Sequence, residues 1–282
     1  MDGFLLVDKP KDMTSHDVVL YLKRKFHFKK IGHTGTLDPF ASGLLIICVG
    51  KATKLSDMFL NMNKSYDGTL VFNKHYDTYD VTGKLIEEKE TQIADEALEN
   101  AVKNMIKAYE QLPPMYSAIK VDGQKLYELA RAGKEIERDK RPVEIYDFKL
   151  TSSLVDHTVD FSIDVSKGTY IRSIAVDLAD SLHTYGALKE LRRTKIGPYR
   201  IEQAKPLHDI IESDMITLEA YFIHHPRVVL NDYMIKLVRN GVYLDERQTT
   251  IDKDFIVYDE QGHMIAFYQR IKEHTYKPGL IF

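Results

Sequence analysis

The stretch Gly32 to Gly50, GHTGTLDPFASGLLIICVG, constrains the fold most, because it runs a loop of small residues straight into a strand with no polar face. Every side chain from Leu44 to Val49 is apolar, so both faces of that strand need cover, and a sheet must be layered on either side of it. The preceding loop holds Gly32, Gly35 and Gly43 and a single acid, Asp38. Glycine lets backbone come close to a ligand, and Pro39 stiffens the turn after the acid. Alone, an Asp-Pro pair reads as an ordinary turn. Mounted on a buried strand among small neighbours, it reads as a rigid support for one reactive carboxylate.

The flanking segments alternate between strand and helix signals. Phe4 to Val7 predicts a short strand, and Thr14 with Asp17 predicts a capped helix through Phe26 that turns Val18, Val19, Leu22 and Phe26 to one side. Thr78 to Lys89 reads as a hairpin around Gly83. ADEALENAVKNMIK has helical spacing, with Leu98, Val102 and Ile106 on one face, and Gln124 to Ala132 predicts a helix stopped by Gly133. HTVDFSIDV alternates Val159, Phe161, Ile163 and Val165 against polar partners, the period of a strand. Ile171, Ile174, Ala175, Leu178 and Leu182 return to helical spacing, which leaves Tyr170 and Arg172 at a strand-to-helix junction where functional groups project. With 282 residues and 44% hydrophobic content, the chain can build one large domain and a small one. Its character changes near residue 223, where HHPRVVLNDYMIKLVRNGVYL leads into short strand-like runs around Gly262. We place the boundary there, giving a domain over 1–222 with an insertion at about 113–146, and a small β-rich domain over 223–282.

No apolar run approaches the length of a membrane span, and MDGFLLVDKPKD lacks the basic-then-apolar layout of a signal peptide, so we expect a cytoplasmic protein without membrane contact. Cys48, inside the apolar run, predicts a buried core residue. His224 and His225 point apart on any regular element and have no further ligand cluster nearby, so we expect no metal. GKATKLSD is not a phosphate loop, because Ala52 stands where a Ser or Thr would hold magnesium. The formal charge of −3 argues mildly against RNA binding. The basic residues are clustered, however, at Lys23, Arg24, Lys25, Lys29 and Lys30, at RDKR over 138–141, and at Arg192, Arg193 and Lys195. Convergence of these clusters on one side would make an RNA track.

GHTGTLDPFASGLL closely resembles the catalytic motif of the TruB family, the synthases that make pseudouridine in the T loop of tRNA, and the resemblance extends over roughly residues 3 to 200. It implies an α+β fold of pseudouridine-synthase type, a mixed and mostly antiparallel sheet with flanking helices, followed by a small C-terminal domain similar to a PUA fold. It also implies that Asp38 is the catalytic residue and that His33 binds substrate. Asp8-Lys9-Pro10 with Ser15 resembles the first family motif, in which Lys9 and Pro10 support the active-site loop, although Asp12 stands where the family usually has Gly. Lys64-Ser65-Tyr66 resembles the KxY pattern whose Tyr stacks on the flipped uracil, with Lys64 as RNA contact or motif support. PPMYSAIKVDGQKLYELARAG resembles a signature within an insertion that contacts the T stem-loop, which makes Lys120, Arg131 and Arg141 phosphate contacts. GTYIRS resembles a third motif, in which Tyr170 packs beside the base and Arg172 pairs with Asp38 and keeps it ionised. LRRTKIG resembles a motif whose Leu, here Leu191, lines the uridine pocket.

The implied reaction breaks the N1 to C1′ glycosidic bond, rotates the detached uracil and rejoins it to the sugar through C5. A glycosidase normally pairs two carboxylates, one of them protonating a poor leaving group. Uracil leaves as a delocalised anion, so one carboxylate suffices, as nucleophile at C1′ or C6 or as base at C2′. No redox step or ATP is involved, and we expect no cofactor. The implied partner is tRNA through its T stem-loop, with no protein partner required. Two other readings compete: a guide-RNA-dependent rRNA synthase of the same family, and a tRNA-binding folding chaperone.

Overall fold

A computed structural model describes residues 1–117, 120–121, 124–126 and 136–282. The first part supplies β1 (Gly3–Lys9), α1 (Ser15–Phe26), β2 (Ile31–His33), β3 (Ser42–Val49), α2 (Ser56–Leu60) and β4 (Lys64–Phe72). The hairpin β5 (Lys74–Tyr76) and β6 (Leu85–Glu88) follows, then α3 (Asp95–Asn104) and β7 (Ala108–Gln111). After the short pair β8 (Lys120–Val121) and β9 (Gln124–Lys125) come β10 (Arg141–Leu150), β11 (Thr158–Val165), α4 (Ile171–Ser181) and β12 (Gly186–Ile196). β13 (Tyr199–Arg200), β14 (Lys205–Pro206), β15 (Ile216–Thr217) and α5 (Leu218–Phe222) lead to the last unit. That unit holds β16 (Arg227–Val229), α6 (Asp232–Arg239), β17 (Leu244–Asp245), β18 (Phe255–Tyr258), β19 (Met264–Lys272) and β20 (Thr275–Ile281).

The large sheet runs β14, β1, β3, β12, β4, β11, β10, β7, with β15, β2 and β13 attached to β1, β3 and β12. It is mixed and mostly antiparallel; the parallel pairs are β1 with β14 and, at the centre, β3 with β12. The central pairing is short, with Ser42 opposite Arg192 and Gly43 opposite Arg193. Gly43 has φ +108°, and a Cβ there would lie 2.3 Å from the Arg193 carbonyl oxygen, so glycine is what lets the two strands meet.

β3 is covered on both faces, as its composition demands. Leu45, Ile47 and Val49 pack with Val18, Val19 and Leu22 of α1, while Leu44, Ile46 and Cys48 pack with Phe59 of α2 and Phe222 of α5. α1 starts where the sequence places it, with Thr14 and Asp17 forming a reciprocal capping box. Asp12 sits at φ +65°, a left-handed conformation that glycine adopts without cost and aspartate only tolerates. The departure from the family's glycine is therefore accommodated, not refolded. On the far side of the sheet, Val159, Phe161, Ile163 and Val165 of β11 share a core with Leu98 and Val102 of α3 and with Ile174, Ala175 and Leu178 of α4.

Two sequence expectations need correction. α3 ends at Asn104, so Met105 and not Ile106 turns into the core, and Ile106 stays exposed. The helix expected over 124–132 does not start at Gln124: Gln124 and Lys125 make strand β9 against β8, Leu126 is helical, and 127–132 lie outside the described residues.

The second sheet, β16, β18, β19, β20, β17, has its own core, in which Val238 of α6 packs with Phe255, Tyr268 and Tyr276. Its other face, through Ile256, Phe267 and Leu280, joins Phe4, Leu6, Phe59 and Phe222 in one apolar cluster. His225 sits at this seam, edge-on to Phe222 at 5.0 Å and to Phe267 at 5.8 Å. Segments before and after residue 223 thus share a core. No helix among the described residues is long and apolar enough to cross a membrane.

Candidate active site

Asp38 lies in the loop that feeds β3, at the centre of the large sheet. Arg172, on the first turn of α4, reaches it from the other half: Nη2 donates to Oδ1 at 3.1 Å, and Nε lies 2.8 Å from Oδ2 in ion-pair contact, its N–H off the line of a hydrogen bond. The guanidinium is 5% exposed while the Asp38 side chain keeps 31% of its surface open, so the base of the pair is sealed and the acid is half-buried above it. Arg172 is itself held, Nη1 donating to the Thr78 carbonyl at 2.9 Å and Nη2 to the Tyr116 carbonyl at 2.8 Å. Burial pushes the Asp38 carboxyl above the ordinary carboxylate range; Arg172 pulls against that rise, Asp80 adds to it, and Lys9 opposes it.

Asp80 is a site residue that sequence reasoning missed. Its carboxylate is 5% exposed and stands 3.7 Å from Arg172 Nη1, so the guanidinium lies between two acids. In sequence it is one more acid in a hairpin turn, where Asp is common for local reasons, and here it does accept from the backbone N–H of Thr82.

The loop is fixed from beneath by two buried cations. Lys9 is fully buried and donates to the carbonyls of Pro10 at 2.9 Å, Met13 at 2.7 Å and Pro39 at 3.4 Å. Arg193, 1% exposed, donates from Nε to the Leu44 carbonyl at 2.7 Å and reaches the carbonyls of Thr36 and Gly35 at 3.5 and 3.4 Å. Ser15 adds a two-way contact, its hydroxyl donating to the Leu37 carbonyl and accepting from the Leu37 N–H. Asp38 is thereby flanked on both sides by tethered backbone, and a rigid mount results.

The remaining candidates take different places. Tyr66 and Leu191 are 7% and 5% exposed and share a cluster with Leu37, Phe40 and Ala41, the neighbours of Asp38. Tyr170 caps α4 two residues before Arg172, its phenol pushed up by burial. His33 closes β2 half-buried, with Nδ1 lacking a hydrogen-bond partner and its basicity lowered by burial and by Arg193. Pro10 is exposed at the end of β1. Lys64 turns inward, its ammonium donating to the carbonyls of Leu60 and Met62 at the end of α2, so it supports the scaffold instead of facing solvent. Arg141 is exposed at the start of β10. Lys120 is placed only as backbone of β8, and Arg131 lies outside the described residues.

The basic clusters do not all reach the surface. Lys23, Arg24, Lys25, Lys29 and Lys30 are exposed, whereas Arg138 donates to the Pro113 carbonyl and Arg193 is buried. Arg192 closes both terminal nitrogens on Asp8, at 3.1 and 2.7 Å. Arg193 is thereby removed from any RNA track, whereas alternation along β12 leaves Arg192 43% exposed and paired with Asp8. A cavity of about 650 Å³ between α3 and α5's predecessor α4, lined by Met105, Tyr109, Leu112, Asp177 and Leu182, holds none of the site residues.

Residues 23–171 match the family described as TruB family pseudouridylate synthase (N terminal domain). The chain is 50% identical over 283 residues to the tRNA pseudouridine synthase B of Onion yellows phytoplasma, covering all of both chains, and 50% identical to that of Acholeplasma laidlawii over 95% of each. Among solved structures it is similar to a chain of a Cbf5-Nop10-Gar1 complex, with TM-score 0.71 and 24% identity over 96% of this chain and 79% of that one. At that identity the likeness shows the fold: a pseudouridine-synthase architecture.

Proposed function

The chain belongs to the TruB family of pseudouridylate synthases, isomerases that act on RNA, and on that premise we propose that it converts uridine 55 in the T loop of tRNA to pseudouridine, with Asp38 as the reacting carboxylate. The observation that carries this reading is the Asp38–Arg172 pair: one partly exposed carboxylate, backed by a sealed guanidinium and by a loop tethered on both sides. Asp80 is enclosed against Arg172, so it serves as counter-charge and not as a second reacting acid. Attack at C1′ or C6 and proton removal from C2′ all require an ionised, fixed carboxylate, and Arg172 is the group that fixes it and favours its ionised form against burial and Asp80. Tyr66, Leu191 and Tyr170 form the wall against which the base, extracted from its loop, is held. Exposed cations of 23–30 and the segment around 113–146 take the phosphate backbone, and 223–282 serves as a small PUA-like RNA-binding unit. The reaction belongs in the cytoplasm, where tRNA is modified.

The test uses the purified protein, an unmodified T stem-loop transcript labelled with tritium at C5, and no other component. C5 loses its hydrogen when it joins the sugar, so label is released only when pseudouridine forms. Wild type should release it without a guide RNA, and Asp38→Asn, which keeps size while removing charge, should fold, bind the stem-loop and release essentially none. Dependence on an added guide RNA would favour the rRNA-directed reading. Binding without release by wild type would favour the chaperone, and release by Asp38→Asn would remove Asp38 from the chemistry.

A further inference from the structure

We infer that Gln111 is a positioning residue for the catalytic pair, a clamp on the backbone of Tyr170 that registers the first turn of α4, and with it Arg172, to the root of the 113–146 insertion. The inference rests on the Asp38–Arg172 reading above. Gln111 ends the edge strand β7 and is 1% exposed. Its carboxamide does not face β7's sheet partner. Instead Oε1 accepts from the Tyr170 N–H at 2.8 Å, and Nε2 donates to the Tyr170 carbonyl at 3.1 Å and to the Tyr109 hydroxyl at 2.8 Å. Both Nε2 hydrogens and the oxygen are therefore in use, which fixes the amide's orientation and makes it specific for glutamine. The Tyr109 hydroxyl passes the restraint on, donating to Asp177 Oδ2 at 2.8 Å, so the clamp is anchored on α4 two turns further along.

The same short segment makes two more contacts with the start of α4. Ser173 Oγ donates to the Leu112 carbonyl at 2.8 Å, and Arg172 Nη2 to the Tyr116 carbonyl at 2.8 Å. Residues 111–116 thus run along the turn that carries Tyr170, Arg172 and Ser173, while Tyr170 as N-cap has no side-chain cap of its own. In the sheet Gln111 stands opposite Arg141, so the segment between them, most of the expected insertion, leaves and rejoins the fold at this pair, and 141–146 belong to β10. A segment that docks on RNA and the guanidinium that backs Asp38 are consequently anchored at one point. Without the clamp, the Arg172 fork would still be charged but no longer fixed, and a displacement on the order of 1 Å in such a group costs about 100-fold in rate.

The experiment compares Gln111→Leu, which keeps bulk and loses the amide, and Tyr109→Phe, which removes one partner, with wild type and Asp38→Asn, by single-turnover C5 label release, stem-loop affinity, thermal melting and pH profile. Gln111→Leu should lose about 100-fold in single-turnover rate measured at saturating stem-loop, where any change in affinity drops out. Its acid limb should also move to higher pH. Asp38 is faced by Arg172, Asp80, Lys9 and Tyr170; loosening Arg172 leaves burial and Asp80, which both hold the proton on, opposed by Lys9 alone. Tyr109→Phe should lose about fivefold, the equivalent of one hydrogen bond. A purely structural glutamine would lower the folded fraction without moving the pH profile, and a folded Gln111→Leu with an unshifted profile overturns the inference. Should Gln111→Leu not fold, Tyr109→Phe decides, and wild-type rate and profile there overturn it. Failure of wild type to release label, or release by Asp38→Asn, sinks the catalytic reading itself and is distinguishable from either result.

Discussion

Arg172 and Arg193 are both buried and both reach the Asp38 loop, yet they are served in opposite ways. Arg172 lies between the carboxylates of Asp38 and Asp80, whereas Arg193 meets carbonyl oxygens of Gly35, Thr36 and Leu44. A cation facing ionised groups sets their protonation and responds when one of them reacts. The carbonyl partners of Arg193 do not titrate, so its hydrogen bonds contribute fixation, and its charge bears on protonation only at a distance, as on His33. On the proposed reading, one arginine therefore belongs to the reaction and the other to the mount, although in sequence each is simply an arginine.

The sharpest way to break this comparison is to delete each guanidinium in turn. Arg172→Met should lose about 10³-fold in single-turnover rate, the scale of removing a preorganised electrostatic partner, with stem-loop affinity nearly intact by filter binding. A loss below tenfold would mean that Asp38 does not depend on the pair. Arg193→Met should instead lose stability, by about 3 kcal/mol from carbonyls left without a donor, read as roughly 5 °C in melting temperature for a chain of this size. Its residual rate per folded molecule should stay within about tenfold of wild type, and a well-folded but inactive Arg193→Met would erase the distinction.

Gly43→Ala probes the mount without touching charge. The added methyl meets the Arg193 backbone and the residue keeps φ +108°, so denaturant unfolding should show a loss of about 2 kcal/mol. An unchanged midpoint would show that β3 and β12 are free to separate. The smallest effect is one of pH. Burial holds the Lys9 ammonium down at about 8, against 10.5 for the ordinary side chain, so over that interval the unfolded chain binds the extra proton and stability rises with pH. Urea midpoints of Lys9→Met should rise less between pH 8 and 10 than those of wild type, and equal slopes would indicate that Lys9 is solvated.

Much of this was legible because it is local. The capping box at Thr14 and Asp17, the apolar β3 run and the alternation of Val159 to Val165 each follow from spacing within a few residues, and each appears where the spacing puts it. The end of α3 was not legible, since Met105 and Ile106 are equally apolar and only the packed neighbours choose which one is buried. Asp80 and Gln111 were invisible for another reason. Their partners, Arg172 and Tyr170, lie ninety-odd and fifty-nine positions away, and nothing in a turn acid or an edge-strand glutamine announces them.

From residues alone one could determine that a rigid loop carries one carboxylate into a doubly covered strand, and, by resemblance, to which family such a loop belongs. Those properties reside in composition and near spacing, which folding does not alter. Tertiary structure decided which cations reach that loop and in what capacity. Arg192 and Arg193 are adjacent in sequence, but strand alternation sends the first onto Asp8 and the second under Gly35 and Leu44. Charge is written in the sequence; whether it meets a carboxylate, a carbonyl or solvent depends on which strands lie side by side, and that is settled only when β3 and β12 pair.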